Sequence, residues 1–333
     1  MSRVVVVTGG SAGVGRATVA KFARKGWDVG VIARGTDRLE ETAAEVRRLG
    51  RRVCTISADV ADPEALENAA ESIERDLGPI EVWVNNAMAT AFAPIALLTP
   101  AEFLRGTQVT YLGQVHGTMT ALRRMRRRDA GTIVNIGSAL SYRAIPLQSV
   151  YCAAKYAVRG FTDSLRCELL HDAVNVHVTM VHLPAINTPQ FDWALNKMRR
   201  RPQPVPPIFE PEVAARAIYF AATHRRREVW VGLPTVKAIL ANKIAPGLLD
   251  RYLARAGYSG QLSREPRESD APANLFEPVR GNWGAHGRFD DRARRSSGQL
   301  WTSRHRLGLG LAALVGGACW LWVSVRGGAR KPQ

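Results

Sequence analysis

Tyr151 and Lys155, in the stretch SVYCAAKYAVRGF, stand four residues apart. Four residues is close to one helical turn, so on a helix both side chains leave the same face. A phenol beside an ammonium can move a proton, because the cation favours tyrosinate and draws the phenol pKa down from about 10. The same spacing arises on solvated helices that do no chemistry, so the pair alone decides nothing. A second candidate opens the chain. VVVVTGGSAGVGRA carries Thr8-Gly9, three residues, then Gly13-Val14-Gly15. Glycines at a strand-to-helix turn let the backbone close on a pyrophosphate, which then sits at the helix N-terminus. A third candidate ends VGVIARG, where an acidic side chain would ordinarily meet a ribose 2′-hydroxyl. Here Ala33 and Arg34 stand instead. A guanidinium binds phosphate through paired N–H groups and stacks on adenine, so Arg34 favours NADP(H), with NAD(H) as second choice. Ser11 offers a hydroxyl at the turn, and Arg16 adds positive field.

These groups need elements that bring them together. From residue 3 to about 232, short apolar runs alternate with helical patterns. The runs are Arg3–Val7, Asp28–Ala33, Arg52–Ile56, Ile80–Val84, Gly131–Ile136, Val174–His182 and Glu228–Val231. Between them lie Val14–Lys25, Asp37–Leu49, Pro63–Asp76, Ala101–Arg128, Ser149–His171 and Pro211–Thr223. Strands alternating with helices of this length predict an α/β fold, a doubly wound parallel sheet covered on both faces. Residues 236–256 add a helical stretch broken near Pro246-Gly247.

Beyond it the composition changes. Residues 257–306 are rich in Gly, Pro, Ser, Asp and Arg, which predicts a largely unstructured linker. NLFEPV and GAHGRFDD within it carry no expected role. Residues 307–325 hold no charge and are flanked by Arg304, Arg306, Arg326, Arg330 and Lys331. About 20 apolar residues span a bilayer core, so a transmembrane helix is expected there. Trp320 and Trp322 suit an interface, and Gly308, Ala312 and Gly316 suit close helix approach. The expected organisation is one catalytic domain over 1–256, a linker over 257–306 and a membrane anchor over 307–325. That places the enzyme part in the cytoplasm at a membrane; the alternative is a cytoplasmic protein with a docked C-terminal helix.

The motifs continue in a fixed order. Asp59-Val60 follows the third run and Asn85-Asn86-Ala87 the fourth. Ser138 precedes Tyr151 by thirteen residues, and the sixth run leads into Pro184-Ala185-Ile186-Asn187-Thr188. With TGxxxGxG before them and YxxxK among them, the chain resembles the short-chain dehydrogenases/reductases over residues 3 to about 232. The resemblance implies a single-domain Rossmann fold. It implies Tyr151 as general acid in reduction and base in oxidation, with Lys155 lowering its pKa and holding the nicotinamide ribose. Ser138 would bond the substrate oxygen. For the dinucleotide it implies Thr8, Gly9, Ser11, Gly13, Val14 and Gly15 at the first turn, and Arg34 after the second strand. Asp59 and Val60 would lie at the adenine, and Asn86, Ala87, Tyr151, Lys155, Pro184 and Thr188 further along.

Three positions depart from the family pattern. VTYLG puts Thr110 where the family has an Asn that helps hold a relay water; a hydroxyl lacks the amide's paired donor and acceptor, so Thr110 is expected to carry the relay through water. Met88 replaces the glycine of NNAG, and Ala185 replaces the glycine after Pro184. Substrate recognition in the family falls after the sixth strand, where Phe191, Trp193, Leu195 and Met198 suggest a mobile lid or, more sharply, a lid over a bulky apolar small-molecule substrate. Arg199, Arg200 and Arg201 then read as a solvated basic turn. The resemblance also implies a homodimer or homotetramer paired through Ala101–Arg128 and Ser149–His171.

The formal charge of +17 would suit an anionic partner. However, 39 of the 46 basic residues are Arg, and no zinc-finger or RNA-binding motif accompanies them, so no nucleic acid is expected. Cys54, Cys152, Cys167 and Cys319 show no metal or disulfide spacing, which fits a reducing compartment. Cys152 reads as buried filler, and His116, His177 and His182 as structural; no metal is expected. The chain therefore reads as an NADP-dependent oxidoreductase of an apolar carbonyl or alcohol. The other reading is a membrane-tethered dinucleotide sensor or scaffold with little turnover.

Overall fold

Val4 to Val7 alternate between the two faces of a central sheet. Val5 and Val7 pack with Val19 and Phe22 on one side, while Val4 and Val6 pack with Leu66 and Ile73 on the other. That is the period-two geometry of a strand buried on both faces, which a continuous apolar run permits. In the computed structural model residues 3–268 and 270–306 are described.

The seven expected runs become seven parallel strands: β1 (Val4–Thr8), β2 (Asp28–Ala33), β3 (Val53–Ser57), β4 (Ile80–Asn85), β5 (Gly131–Ser138), β6 (Val176–Leu183) and β7 (Glu228–Trp230). Their order across the sheet is β7-β6-β5-β4-β1-β2-β3. Helices α1 (Gly13–Ala23), α2 (Thr36–Arg48) and α7 (Pro211–Thr223) cover one face. Helices α3 (Pro63–Leu77), α5 (Gly113–Arg127) and α6 (Ser149–His171) cover the other. The chain finishes its first half at the β3 edge, then returns to lay β4 on the opposite side of β1. Loops leaving β1 and β4 diverge there, and that switch point opens the crevice in which doubly wound sheets bind ligands.

The single helix expected over 101–128 is interrupted. Helix α4 (Pro100–Thr107), capped reciprocally by Thr99 and Glu102, passes into a π-helical turn at Gln108–Leu112 before α5 begins. The break near Pro246 falls as expected, between α8 (Leu233–Ile244) and α9 (Pro246–Gln261).

The segment 257–306 is not the unstructured linker that its composition suggested. Helix α9 runs past the expected boundary to Gln261, and Leu262–Pro266 then pairs antiparallel with Arg200–Pro202. Ala293–Arg294 pairs with Ile208–Phe209, and helix α10 (Gly298–Arg304) follows. The scattered apolar residues explain the order: Leu275, Phe289 and Leu300 are 1%, 5% and 3% exposed. Leu275 and Phe289 come from NLFEPV and GAHGRFDD, the two stretches given no role. The charge-free segment 307–325 lies outside the described residues; among those described, no helix is long and apolar enough to cross a membrane.

Candidate active site

At the switch point, small groups let the loops after β1 and β4 close on each other. Gly9 has φ of +64°, and a Cβ there would come within 2.8 Å of Ala87 Cα. A Cβ at Gly15 would stand 2.1 Å from the Gly9 carbonyl oxygen, so only glycine lets α1 start this close to the loop. Thr8 works from beneath. Its hydroxyl accepts from the backbone N–H groups of Asn86 and Ala87 at 3.0 and 3.2 Å. Asn86 returns the link, donating through Nδ2 to the Thr8 and Gly9 carbonyls at 3.1 Å each. Thr8 and Gly15 therefore shape the crevice without lining it.

The other expected cofactor residues line one cavity of about 470 Å³. It begins at Gly9, Ser11, Gly13 and Val14, and passes Arg34, Asp59 and Val60. It continues by Asn86 and Ala87 to Ser138, Tyr151 and Lys155, with Pro184 and Thr188 on the far wall. Arg38, in the first turn of α2 and four residues beyond Arg34, also lines it and was missed from the sequence. Arg34 donates to the carbonyls of Asn274 and Phe276, and Arg38 to that of Val279. Among the described residues neither guanidinium pairs with a carboxylate within 4.0 Å. Burial lowers the pKa of Arg34, with Asp59 opposing; burial, then Arg34, lowers that of Arg38. Two desolvated cations side by side leave charge for an anion. The Asp59 carboxylate is already held by Arg105 and by the Ala61 N–H at 3.0 Å.

Ser138 ends β5, and Tyr151 and Lys155 lie one turn apart on α6. Lys155 is 1% exposed; its Nζ donates to the Ile136 carbonyl at 2.6 Å and sits 5.4 Å from the Tyr151 ring centroid. Burial pushes the Tyr151 phenol up to about 12, and a hydrogen bond with Ser138 offsets only part of this. Burial also brings the Lys155 ammonium down to about 7. The expected lowering of the Tyr151 pKa by Lys155 is thus absent from this site. Low-dielectric surroundings disfavour charge on both groups, and a lysine that is neutral above pH 7 offers little field to its neighbour. Cys152, 3% exposed, has its thiol pushed up to about 11 by burial, which suits a packing residue.

Thr110 does not line the cavity. Its hydroxyl donates to the Ala89 carbonyl at 2.7 Å and accepts from the Ala89 N–H at 2.9 Å, from within the π-helical turn. Its single proton is committed to Ala89, so the relay expected of it gives way to a positioning role for the loop after β4. His182, expected to be merely structural, has Nδ1 3.2 Å from the Ser138 carbonyl oxygen and Nε2 3.5 Å from Glu228. Glu228 also accepts from Tyr142 at 2.5 Å and from Trp230 at 2.9 Å. Burial opposes its charge, yet bonds from His182, Tyr142 and Trp230 hold the carboxylate well below its usual range. No local motif announces this link, because Glu228 lies on a different strand.

The wall also carries Leu140, Ile145, Phe191 and Val205, and Trp193, whose ring lies 5.0 Å from the Arg38 guanidinium. Of the four residues expected in a lid, Phe191 and Trp193 line the cavity, whereas Leu195 and Met198 do not. The basic turn is not simply solvated: Arg201 pairs with Asp192 at 3.1 Å and with Glu265 at 3.4 Å, tying it to the C-terminal segment.

Known proteins resemble this chain. The model of the short chain dehydrogenase family matches residues 3–199. The uncharacterized oxidoreductase YxnA of Bacillus subtilis (strain 168) is 30% identical over 317 residues, 95% of this chain and 88% of its own. Dehydrogenase/reductase SDR family member 7B of Bos taurus is 30% identical over 266 residues, 75% of this chain and 80% of its own. A solved alcohol dehydrogenase from the archaeon Thermococcus sibiricus, complexed with 5-hydroxy-NADP, has a TM-score of 0.59 at 25% identity. It covers 69% of this chain and 96% of its own. At 95% coverage, by contrast, the Bacillus alignment must extend into the C-terminal segment.

Proposed function

Because the chain belongs to the short-chain dehydrogenase family and is a dehydrogenase/reductase, we propose that it interconverts an apolar carbonyl and its alcohol with NADP(H), using Tyr151 to transfer the proton. The observation that carries this reading is one cavity joining the Gly9–Val14 turn and the Arg34/Arg38 pair to Ser138, Tyr151 and Lys155. The residues fit a dinucleotide: the turn is closed tightly enough to cradle phosphates, and among the described residues neither the half-buried Arg34 nor the buried Arg38 has a carboxylate within 4.0 Å. Bound there, a nicotinamide dinucleotide would supply the hydride.

The protein's own groups do the rest. Tyr151, neutral at working pH, donates its proton to the substrate oxygen in reduction. Ser138 hydrogen-bonds the same oxygen and steadies its developing charge. Lys155, with a pKa near 7, returns a proton to the phenolate. Leu140, Ile145 and Phe191 exclude water and favour an apolar substrate. A second copy of the chain docking through α4, α5 and α6 belongs to the same reading, supported by exposed Leu104, Met119 and Tyr156. A binding-only role has no observation in its favour.

The test is NADPH and NADH oxidation by the full chain against a panel of hydrophobic ketones and aldehydes. Tyr151→Phe should cut turnover by about 100-fold to 10,000-fold while dinucleotide binding persists. Equal turnover in the variant would remove Tyr151 from the mechanism.

A further inference from the structure

The C-terminal segment does more than fold. We propose that residues 274–290 form a strap that clamps the phosphate-bearing half of the dinucleotide and sets the preference for the 2′-phosphorylated form. This rests on the cofactor reading above, and adds to it a determinant lying beyond the family's matched residues, 3–199.

The strap holds the two cations that the cavity presents. Arg34 donates Nη1 to the Phe276 carbonyl at 2.6 Å and Nη2 to that of Asn274, while Arg38 donates to Val279. These acceptors are neutral. They fix both guanidiniums in place and leave the charge of each for a ligand. Preorganised side chains need not be ordered when the ligand arrives, which strengthens binding without new contacts.

The strap is fastened within this grip and again beyond it. Leu275, 1% exposed, is packed into the core with Val60 and Ile32. Asn282 accepts from Arg16 Nη1 at 2.8 Å, and Gly284 accepts from the Gly13 N–H at 3.0 Å. At the far end Asn187 donates to Asp290 at 2.7 Å and accepts from the Phe289 N–H at 3.1 Å. A strap that replaced the ligand would fill the cavity. This one leaves about 470 Å³ open beneath it and contributes Asn274 to the wall. Its geometry is that of a clamp.

The experiment uses the full chain, with Leu275→Ala to release the buried anchor and Asn282→Ala as a milder surface variant. Calorimetric titration gives Kd for NADPH and NADH, and hydrogen exchange follows residues 274–290 with and without each dinucleotide. Saturating NADPH should slow exchange in the strap, and NADH should do so less. Leu275→Ala should raise the NADPH Kd by about tenfold and leave the NADH Kd within about twofold, with Asn282→Ala changing in the same direction. An unchanged NADPH/NADH ratio in both variants would overturn the proposal, as would tighter NADPH binding, the mark of a strap that competes. If the unaltered chain binds neither dinucleotide, the cofactor reading fails and the strap falls with it; normal binding with an indifferent strap sinks the strap alone.

Discussion

Replacing Arg34 with alanine gives the most direct measure of how this chain distinguishes its dinucleotides. The guanidinium is half-buried at the cavity edge and bonded to backbone carbonyls, with no carboxylate within 4.0 Å among the described residues. A hydrogen bond to a charged group contributes about 1.5–3 kcal/mol, and about 1.4 kcal/mol is tenfold in affinity. The full loss would therefore be roughly 10-fold to 150-fold in NADPH affinity. Two features put the expected value near the lower end. Arg34 is partly open to water, which screens its charge. Arg38, 7% exposed beside it, remains to meet the phosphate. Arg34→Ala should thus raise the NADPH Kd by roughly tenfold to thirtyfold while NADH changes by less than about twofold. The double variant with Arg38→Ala should depart from additivity, because both cations address one ligand group. Titration calorimetry at low and moderate salt is the assay, and the NADPH loss should shrink as salt rises. If NADPH and NADH weakened equally, Arg34 would be shaping the loop and the phosphate argument would be wrong.

Thr110→Val should lower stability by about 1–3 kcal/mol, since it strands the buried N–H and C=O of Ala89, and should raise the dinucleotide KM without moving the pH profile; a shifted pH profile with steady KM would restore Thr110 to the proton path. Lys155 has a folded pKa near 7 against an ordinary 10.5, so it binds fewer protons folded than unfolded between those values. Stability should then rise with pH across that window, the cost of burying the cation being fully present below pH 7 and gone above about 10.5. Lys155→Met should accordingly raise the melting temperature of the ligand-free chain at pH 6 and raise it much less at pH 10; an equal gain at both would refute the shift.

The seven strands were legible because each is a short apolar run with period-two partners on both faces, and the runs fall within two residues of β1 to β7. The TGxxxGxG turn, Ser138 and the YxxxK pair were legible for a related reason: each is a local pattern fixed by one turn or one helix. What escaped was set by distance along the chain. Arg34 and Arg38 meet the carbonyls of residues 274–279, and a backbone carbonyl leaves no mark in a sequence. Leu275, Phe289 and Leu300 have no helical or strand period between them, so composition read as a linker although each fills a place in the interior. The Ser138–His182–Glu228 link joins three strand positions whose adjacency exists only in the folded sheet. Thr110 was visible, but its partner was not. Its residue type suggested proton transfer, while its place in the π-helical turn commits the hydroxyl to Ala89.

The burial that upset the expectation for Tyr151 and Lys155 also bears on which way the site can work. An acid that must donate is helped by being held neutral, and a base that must accept is hindered by it. With the phenol pushed up to about 12, Tyr151 is protonated throughout the neutral range and ready for reduction. Oxidation needs the phenolate, which burial disfavours until the solution is alkaline. Lys155 changes charge near pH 7, at the point where a proton must be passed on after each reduction, and its bond to the Ile136 carbonyl keeps the amine one turn from the phenol. Burial thus holds the phenol neutral and sets the amine near the midpoint of its titration at pH 7. Under the proposed mechanism, oxidation should therefore gain rate as the pH rises towards the pKa of the phenol, while reduction should not need alkaline solution.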